Sequence, residues 1–335
     1  MAKDQEHAKG ITRKDFVKGA LAGAFLLGAA GSLPGFAAFD PKKKSLVAIA
    51  HGTNLMNANG DYLGPQVQTV VDRAIAKALQ APNAVEGLKK IISANDTVGL
   101  KVNCIAGYSL CTRPEVALAI AQRVHDLGVP SERIIIWDRT DAELINCRYR
   151  LQKAPGGVQI FGTKPGVGYT DAPVPGGAKA DHLSKILTEQ CTKLINVPVM
   201  KTHGGSGVSL ALKNHLGTDQ NPGSYHDDGC IAVGDLNASQ PIKDKTVLVV
   251  CDAIRPLCKH GPGDSPEFRW NYNGILASTD PVAHDRVGYE VMAQQWRTLR
   301  GAEGWGHEQG LKHILRAAEL GLGHGDLNMI QIVEA

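Results

Sequence analysis

The stretch KLINVPVMKTHGGSGVSLALKNHLG, residues 193–217, decides the fold and contains the candidate site. Its apolar and partly β-branched segment, residues 194–199, predicts a buried strand of an α/β sheet. Pro198 has no backbone donor, which suits the end of a strand. Ligands of open α/β sheets bind beyond the carboxyl ends of the strands. The stretch therefore predicts a strand followed by a ligand-binding loop.

Two polar clusters follow this strand, and glycines at positions 204, 205 and 207 allow the backbone to approach a ligand. Lysines bind anions as point charges, and histidines act as acids, bases or metal ligands near neutral pH. A glycine-rich surface loop with solvated charges is the alternative interpretation. We favour a site, with four predicted catalytic residues: Lys201, His203, Lys213 and Asn214.

The rest of the chain alternates predicted strands and helices. The strands are predicted at residues 46–50, 97–102, 133–137, 158–161, 194–199, 246–250, 275–277 and 329–333. The helices are predicted at residues 66–80, 85–92, 114–127, 141–151, 281–299 and 308–320. This alternation indicates an α/β fold with a mostly parallel sheet and helices on both faces, as one domain or as two lobes.

Polar residues follow several of the predicted strands, and the carboxyl ends of parallel strands lie along one edge of a sheet. Lys101 and Asn103 come at the end of one strand, and Asp252 comes directly after another. We predict that these three residues bind a cofactor. The alternative is that an Asp in this position caps a helix.

The chain has seven cysteines and no C-x-x-C motif, which excludes a zinc ribbon, a thioredoxin motif and a ferredoxin loop. Two pairs share the spacing C-x6-C, namely Cys104 with Cys111 and Cys251 with Cys258. In an exported chain, disulfides beside buried free thiols are the first interpretation. The alternative is a metal ion or an iron–sulfur cluster. Its predicted ligands are Cys104, His226 and Cys230.

Residues 1–38 have the layout of a signal peptide. Arg13 lies in a sequence close to the twin-arginine pattern, with Lys14 where the second arginine usually stands, and an apolar segment and small residues follow. We predict that the twin-arginine export machinery moves the folded chain to the periplasm or another extracytoplasmic location. An uncleaved amphipathic anchor is the alternative. Residues 39–335 are then the α/β domain, with no membrane span after signal removal.

Charge and motifs exclude several function classes. The 335-residue chain has a formal net charge of +3, which offers no basic surface for nucleic acid. The motifs of serine hydrolases, P-loop NTPases, zinc proteases and dinucleotide-binding proteins are missing. Residues 301–310 predict a plain connection or a lid over the site.

Seven motifs in order support a family resemblance: KVN at 101–103, INVPVMKTH at 195–203, SLALKN at 209–214, YH at 225–226, DLN at 235–237, CDA at 251–253 and STDPVAHD at 278–285. On these motifs the chain resembles domain-of-unknown-function family 362 over about residues 46–333. Many members carry an appended ferredoxin-like segment, which this chain lacks, so the iron–sulfur cluster of those members is not transferred to this chain on the resemblance. The family name assigns no reaction. A more distant likeness, at the level of the fold, is to nickel-pincer lactate racemases.

Three functional hypotheses follow. The first is an exported, metal- or redox-cofactor-dependent enzyme, such as an oxidoreductase, that acts on a small anionic substrate. The second is a non-catalytic periplasmic protein that binds an anionic ligand or handles a cofactor. The third is racemase- or epimerase-like chemistry, which rests on the fold analogy alone.

Overall fold

The computed structural model describes residues 39–177, 179–300 and 308–335. The predicted signal peptide and residues 301–307 of the predicted lid lie outside this part of the chain. All described residues belong to one compact unit, so the two-lobe alternative has no counterpart here.

The described strands are β1 (Ser45–His51), β2 (Val98–Lys101), β3 (Ile134–Trp137), β4 (Gln159–Ile160), β5 (Lys193–Asn196), β6 (Val199–His203), β7 (Gly207–Ser209), β8 (Thr246–Leu257), β9 (Gly274–Ser278) and β10 (Ile330–Glu334). The described α-helices are α1 (Gly64–Ala78), α2 (Ala84–Leu88), α3 (Pro114–Asp126), α4 (Asp141–Asn146), α5 (Ala211–Asn214), α6 (Ala232–Ala238), α7 (Gln240–Lys245), α8 (Pro281–Arg300) and α9 (Lys312–Glu319). Each strand and helix predicted from the sequence has a counterpart among them.

The strands form one ten-stranded mixed sheet with the main order β10-β1-β9-β8-β5-β2-β3-β4. Strand β9 is antiparallel to both of its neighbours. The other pairs along this path are parallel. Off the path, β6 pairs in parallel with β8 and antiparallel with β7. The predicted α/β fold with a mostly parallel sheet is confirmed.

Both faces of the central strands are buried, because the sheet carries helices on each side. Ala48 and Ala50 of β1 belong to the apolar core that contains the buried stripe of α1. Val47 and Ile49 alternate with them along the strand and are equally inaccessible. Burial on both faces explains why residues 46–50 of β1 are continuously apolar.

The predicted strand at residues 194–199 is two strands. Pro198 cannot donate to a sheet ladder, and its carbonyl accepts the Asp252 amide at 2.8 Å. Strand β5 pairs with β2, and β6 moves on to the later part of β8, where Lys201 is in register with Leu257. The chain thus remains a strand as far as His203, and β8 continues to Leu257 instead of ending at residue 250.

The long helix α8 begins as its sequence predicts. Asp280 Oδ1 accepts hydrogen bonds from the amides of Val282 and Ala283, and Pro281 occupies the first helical position. Helices α6 and α7 were not predicted from the sequence. Within the described part of the chain, no helix combines the length and the apolar composition needed to cross a membrane.

Candidate active site

A cavity of about 220 Å³ lies beyond the carboxyl ends of β2 and β3, beside β6 and α5. Its polar lining residues come from five separate segments of the chain. They are Lys101, Asn103, Asp138, Arg139, Glu143, Lys201, His203, Ser209, Lys213, Asn214 and His226. All four predicted catalytic residues, and two of the three predicted cofactor-binding residues, are among them. This is the position in which α/β folds place their sites.

Lys101 and Asp138 form a buried ion pair at one wall of the cavity. The distance from Lys101 Nζ to Asp138 Oδ1 is 2.6 Å, and the same ammonium group donates to the Val102 carbonyl at 2.7 Å. The other carboxylate oxygen of Asp138 accepts the Cys104 amide at 2.6 Å. Gly217 allows this arrangement, because a Cβ atom there would lie only 2.8 Å from Lys101 Nζ. The charges of Lys101 and Asp138 therefore compensate each other.

Lys201 belongs to β6, where it is 1% exposed, whereas the sequence predicts it in a loop after the strand. Its ammonium group donates to Asn103 Oδ1 at 2.7 Å. Among the described residues, no carboxylate forms an ion pair with the Lys201 ammonium group. The Asp138 carboxylate is paired with Lys101 instead. Burial lowers the pKa of Lys201 to about 8, although the Asp138 charge opposes this effect. Lys201 is thus a buried amine that titrates near physiological pH.

A chain of three amide side chains supports Lys201. Asn103 Nδ2 donates to Asn214 Oδ1 at 3.0 Å, and Asn214 Nδ2 donates to Asn196 Oδ1 at 2.7 Å. The chain ends where Asn196 Nδ2 donates to the Ala211 carbonyl at 2.8 Å. Because a carbonyl can only accept, every amide in this chain has one orientation. Asn103 therefore presents its oxygen to Lys201.

Lys213 is the second buried lysine at the cavity, with an exposed fraction of 5%. Its Nζ atom lies 3.3 Å from His226 Nε2, and the nearby Cys230 side chain partly opposes the effect of burial on the Lys213 pKa. No ion pair with a carboxylate is found for it within the described ranges. Burial lowers the pKa of Lys213, and the pKa of His226 is lowered by burial and then by the charge of Lys213.

His203 is held as a neutral imidazole. Its Nδ1 atom accepts the backbone amides of Gly205 and Ser206 at 3.1 and 3.2 Å, so its proton is on Nε2. Burial lowers the pKa of His203 to about 3, and the charge of Lys213 contributes to the shift. The rings of His203 and His226 are 5.3 Å apart. At neutral pH His203 is therefore an uncharged hydrogen-bond donor.

The short helix α5, which carries Lys213 and Asn214, is positioned from elsewhere in the sequence. Asp285 in α8 accepts the amides of Ala211 and Leu212, each at 2.8 Å, with one oxygen for each. Asp285 is fully buried. Asp285 belongs to the STDPVAHD motif, but its role could not be predicted from the sequence, because no local spacing links position 285 to position 211.

Asp252 does not line the cavity, and its predicted role in cofactor binding has no support in this geometry. It lies within β8, where its carboxylate accepts from the Tyr62 hydroxyl at 3.1 Å and from the Arg113 amide at 3.1 Å. The alternative interpretation of a strand-end Asp, in which it bonds the start of a helix, fits better, since Arg113 directly precedes α3.

The predicted disulfides are wrong: all seven cysteines are free and buried. Cys111 Sγ donates to the Tyr108 carbonyl at 3.6 Å, and Cys258 Sγ donates to the Phe268 carbonyl at 3.1 Å. Cys147 Sγ donates to the Cys104 carbonyl at 3.4 Å, and the Cys147 thiol lies close to those of Cys104 and Cys111. The C-x6-C spacing thus reflects buried thiols that contact nearby carbonyls and other thiols.

The predicted metal ligands do not converge. Cys104 lies in the thiol cluster with Cys147, whereas His226 and Cys230 both contact Lys213. Among the residues that the structure describes, no three His, Cys, Asp or Glu side chains are arranged to hold a metal ion. The ammonium group of Lys213 lies 3.3 Å from His226 Nε2, and a positive charge beside this candidate ligand is unfavourable for a cation.

Comparison with known proteins gives a family and a fold-level likeness. The sequence model of a family described as "Domain of unknown function (DUF362)" matches residues 98–290. No curated protein matches. A solved structure of a Thermotoga maritima protein is 12% identical with a TM-score of 0.41, over 70% of this chain and 59% of that one. The lactate racemase apoprotein of Thermoanaerobacterium thermosaccharolyticum is 12% identical with a TM-score of 0.40, over 79% of this chain and 60% of that one. The match therefore spans less than two thirds of either solved chain.

Proposed function

The chain belongs to the DUF362 family, whose description assigns no activity, and we propose that it is an enzyme that binds a small anionic substrate in the cavity and transfers a proton through Lys201. One observation carries this proposal. Two buried lysines, Lys201 and Lys213, line the same cavity, and neither is paired with a carboxylate of the described residues.

Buried charges are normally paired, because removing an ion from water without compensation is unfavourable by several kcal/mol. An anionic group in the cavity would compensate the two lysines. The substrate is small, since about 220 Å³ is below the range of roughly 300–1,000 Å³ found for drug-sized ligands.

The residues suggest separate roles. Lys213 binds the anionic group as a point charge. His203, neutral with its proton on Nε2, donates a hydrogen bond to an oxygen of the substrate. Lys201, with a pKa of about 8, is the group suited to accept and return a proton, because acid–base catalysis is most efficient when the pKa is near the working pH.

The described side chains include no set of ligands for a metal ion. No catalytic step is therefore assigned to a metal ion or a redox cofactor. A cofactor in this cavity would instead be an anionic molecule bound by the lysines. Export also remains a proposal, and its support is the signal-like sequence of residues 1–38.

The test combines binding with proton exchange. Calorimetry with acetate, both lactate enantiomers, pyruvate and inorganic phosphate should show binding of at least one anion to the wild type. Lys213→Met should weaken this binding at least tenfold, about 1.4 kcal/mol. Lys243→Met, in α7 and away from the cavity, is the control and should bind normally.

Proton transfer is measured by NMR in deuterated water, as deuterium incorporation next to the carboxylate of the bound anion. The wild type should catalyse this exchange, and Lys201→Met should not. Inversion of one lactate enantiomer would favour the racemase alternative. Binding without exchange would favour the non-catalytic binding protein, and the absence of binding for every anion would contradict the site itself.

A further inference from the structure

We propose that Lys201 is a nucleophile that forms an imine with the carbonyl carbon of a small 2-oxo acid. This inference rests on the anion site of the proposed function and adds a covalent step to it. It follows from the direction of the hydrogen bonds at Lys201, from the groups beside it and from the size of the cavity.

The amide chain leaves one side of the Lys201 amine available. Asn196 donates to the Ala211 carbonyl, which fixes the orientation of Asn214 and then of Asn103. Asn103 therefore always accepts a hydrogen from Lys201, and it never donates to it. When the amine is neutral, its lone pair is not used by this partner. The Lys201 side chain lines the cavity, where the lone pair can meet a carbonyl carbon.

The surroundings also supply the neutral amine that an imine requires. Lysine nucleophiles are activated by desolvation or by a neighbouring cation, and Lys201 meets the first condition, because it is 1% exposed. With its pKa at about 8, roughly a quarter of the amine is neutral at pH 7.5, against about a thousandth for an ordinary lysine.

The side chains around Lys201 favour a substrate whose carbonyl carbon is next to an anionic group. Lys213 would hold the carboxylate of a 2-oxo acid, as it holds the anion in the proposed function. The Nε2–H of His203 would donate to the carbonyl oxygen, which becomes negative as the carbon is attacked. Lys201 and His203 are two residues apart in β6, so their side chains lie on the same side of the strand.

The step is balanced without another reactant. The amine lone pair forms the new carbon–nitrogen bond, and the carbonyl π bond breaks to give a carbinolamine. The carbon–oxygen bond of the carbinolamine then breaks, and the oxygen leaves as water with the two hydrogens that the amine has lost. No oxidant, reductant or metal is needed.

The experiment traps the imine. The full-length protein is incubated with pyruvate at pH 7.5 and reduced with borohydride, and its peptides are analysed by mass spectrometry. The Lys201 peptide should gain the mass of pyruvic acid less one oxygen atom. Lys245 is the internal control, because its pKa is also lowered by burial but its ammonium group donates to the Leu187 and Thr188 carbonyls, outside the cavity. It should remain unmodified.

Two variants keep the inference open to disproof. Lys201→Arg keeps the charge and should bind pyruvate in calorimetry yet give no adduct. Asn103→Asp places a carboxylate beside the amine, which raises the Lys201 pKa. Labelling of Lys201 in this variant should fall about tenfold at pH 7.5 and recover near pH 9.5. If the role of Asn103 were merely structural, the substitution would not change the pH profile of labelling.

The outcomes separate this inference from the proposed function. Pyruvate binding without an adduct on Lys201, or labelling of Lys245 to the same extent, would overturn the imine and leave the anion site intact. If neither acetate, phosphate nor pyruvate binds, the proposed function fails as well.

Discussion

Asp285 Oδ2 accepts the backbone amide of Leu212 at 2.8 Å, although the two residues are 73 positions apart in the sequence. Its other oxygen accepts the amide of Ala211, so one buried carboxylate fixes the first turn of α5. The next two residues of that helix, Lys213 and Asn214, line the cavity. The position of two candidate catalytic residues therefore depends on a side chain of another helix.

Removing this carboxylate should affect both stability and binding. Asp285→Ala leaves two buried amides without a partner, and we expect the free energy of unfolding to fall by about 3 kcal/mol. Anion binding should weaken because α5 is no longer fixed. Asn83→Ala is the matched control, since Asn83 caps the distant α2 through the Glu86 amide. That variant should lose about 1 kcal/mol in urea denaturation with unchanged binding. Equal binding by both variants would contradict the positioning role of Asp285.

Lys201→Met should change the pH dependence of stability. The folded-state pKa of Lys201 is about 8, against 10.5 for an ordinary lysine. Below pH 8 both states bind the proton, and the buried charge destabilises the fold by about 3 kcal/mol. Between pH 8 and 10.5 the unfolded chain binds more protons, so wild-type stability rises with pH relative to the variant. Urea denaturation of both proteins from pH 7 to 10.5 measures the difference, and a constant difference would contradict the lowered pKa.

The charge of Lys213 should be visible in the titration of His226. The pKa of His226 is lowered by burial and by this charge, so Lys213→Met should raise it. The pKa of His203 should rise in the same variant. NMR titration of the imidazole nitrogens measures both values. Lys243→Met should leave them unchanged, and an unaltered His226 titration in Lys213→Met would show that the 3.3 Å contact does not exist in solution.

The cysteines should behave as buried thiols. Burial raises the pKa of Cys104 to about 11 and of Cys191 to about 12, which suppresses the reactive thiolate. We expect iodoacetamide to modify all seven thiols in denaturant and almost none in the native protein during the same time. A peptide pair linked through Cys104 and Cys111, detected without reduction, would restore the disulfide interpretation.

Export should depend on the N-terminal basic pair. Replacing Arg13 and Lys14 by glutamine removes the charges on which recognition of a twin-arginine-type signal rests. We expect the unprocessed precursor to accumulate in the cytoplasm, as measured by fractionation and immunoblotting. Lys42→Gln, beyond the predicted signal, is the control. Normal processing of the double variant would contradict the proposed route.

The sequence by itself determined most of the strands and helices and their order, because these elements depend on local periodicity. The apolar run before Pro198 and the stripe of α1 are such local patterns. It also identified seven of the residues around the cavity, since the carboxyl ends of parallel strands meet at one edge. Lys201 and His203 are found there because they end a strand that the sequence already marks.

Only the tertiary structure decided which of these residues act together. Asp252 and Asn103 each follow a strand predicted from the sequence. In the structure, however, β8 continues past Asp252, and the Asp252 carboxylate accepts a hydrogen bond from the Tyr62 hydroxyl. Cys104 accepts a hydrogen bond from the Cys147 thiol and forms no disulfide with Cys111, and Asp285 bonds to α5 from a distant helix. Such contacts depend on how the strands are ordered and how far each one continues. These are properties of the whole sheet, and no local spacing of residues encodes them.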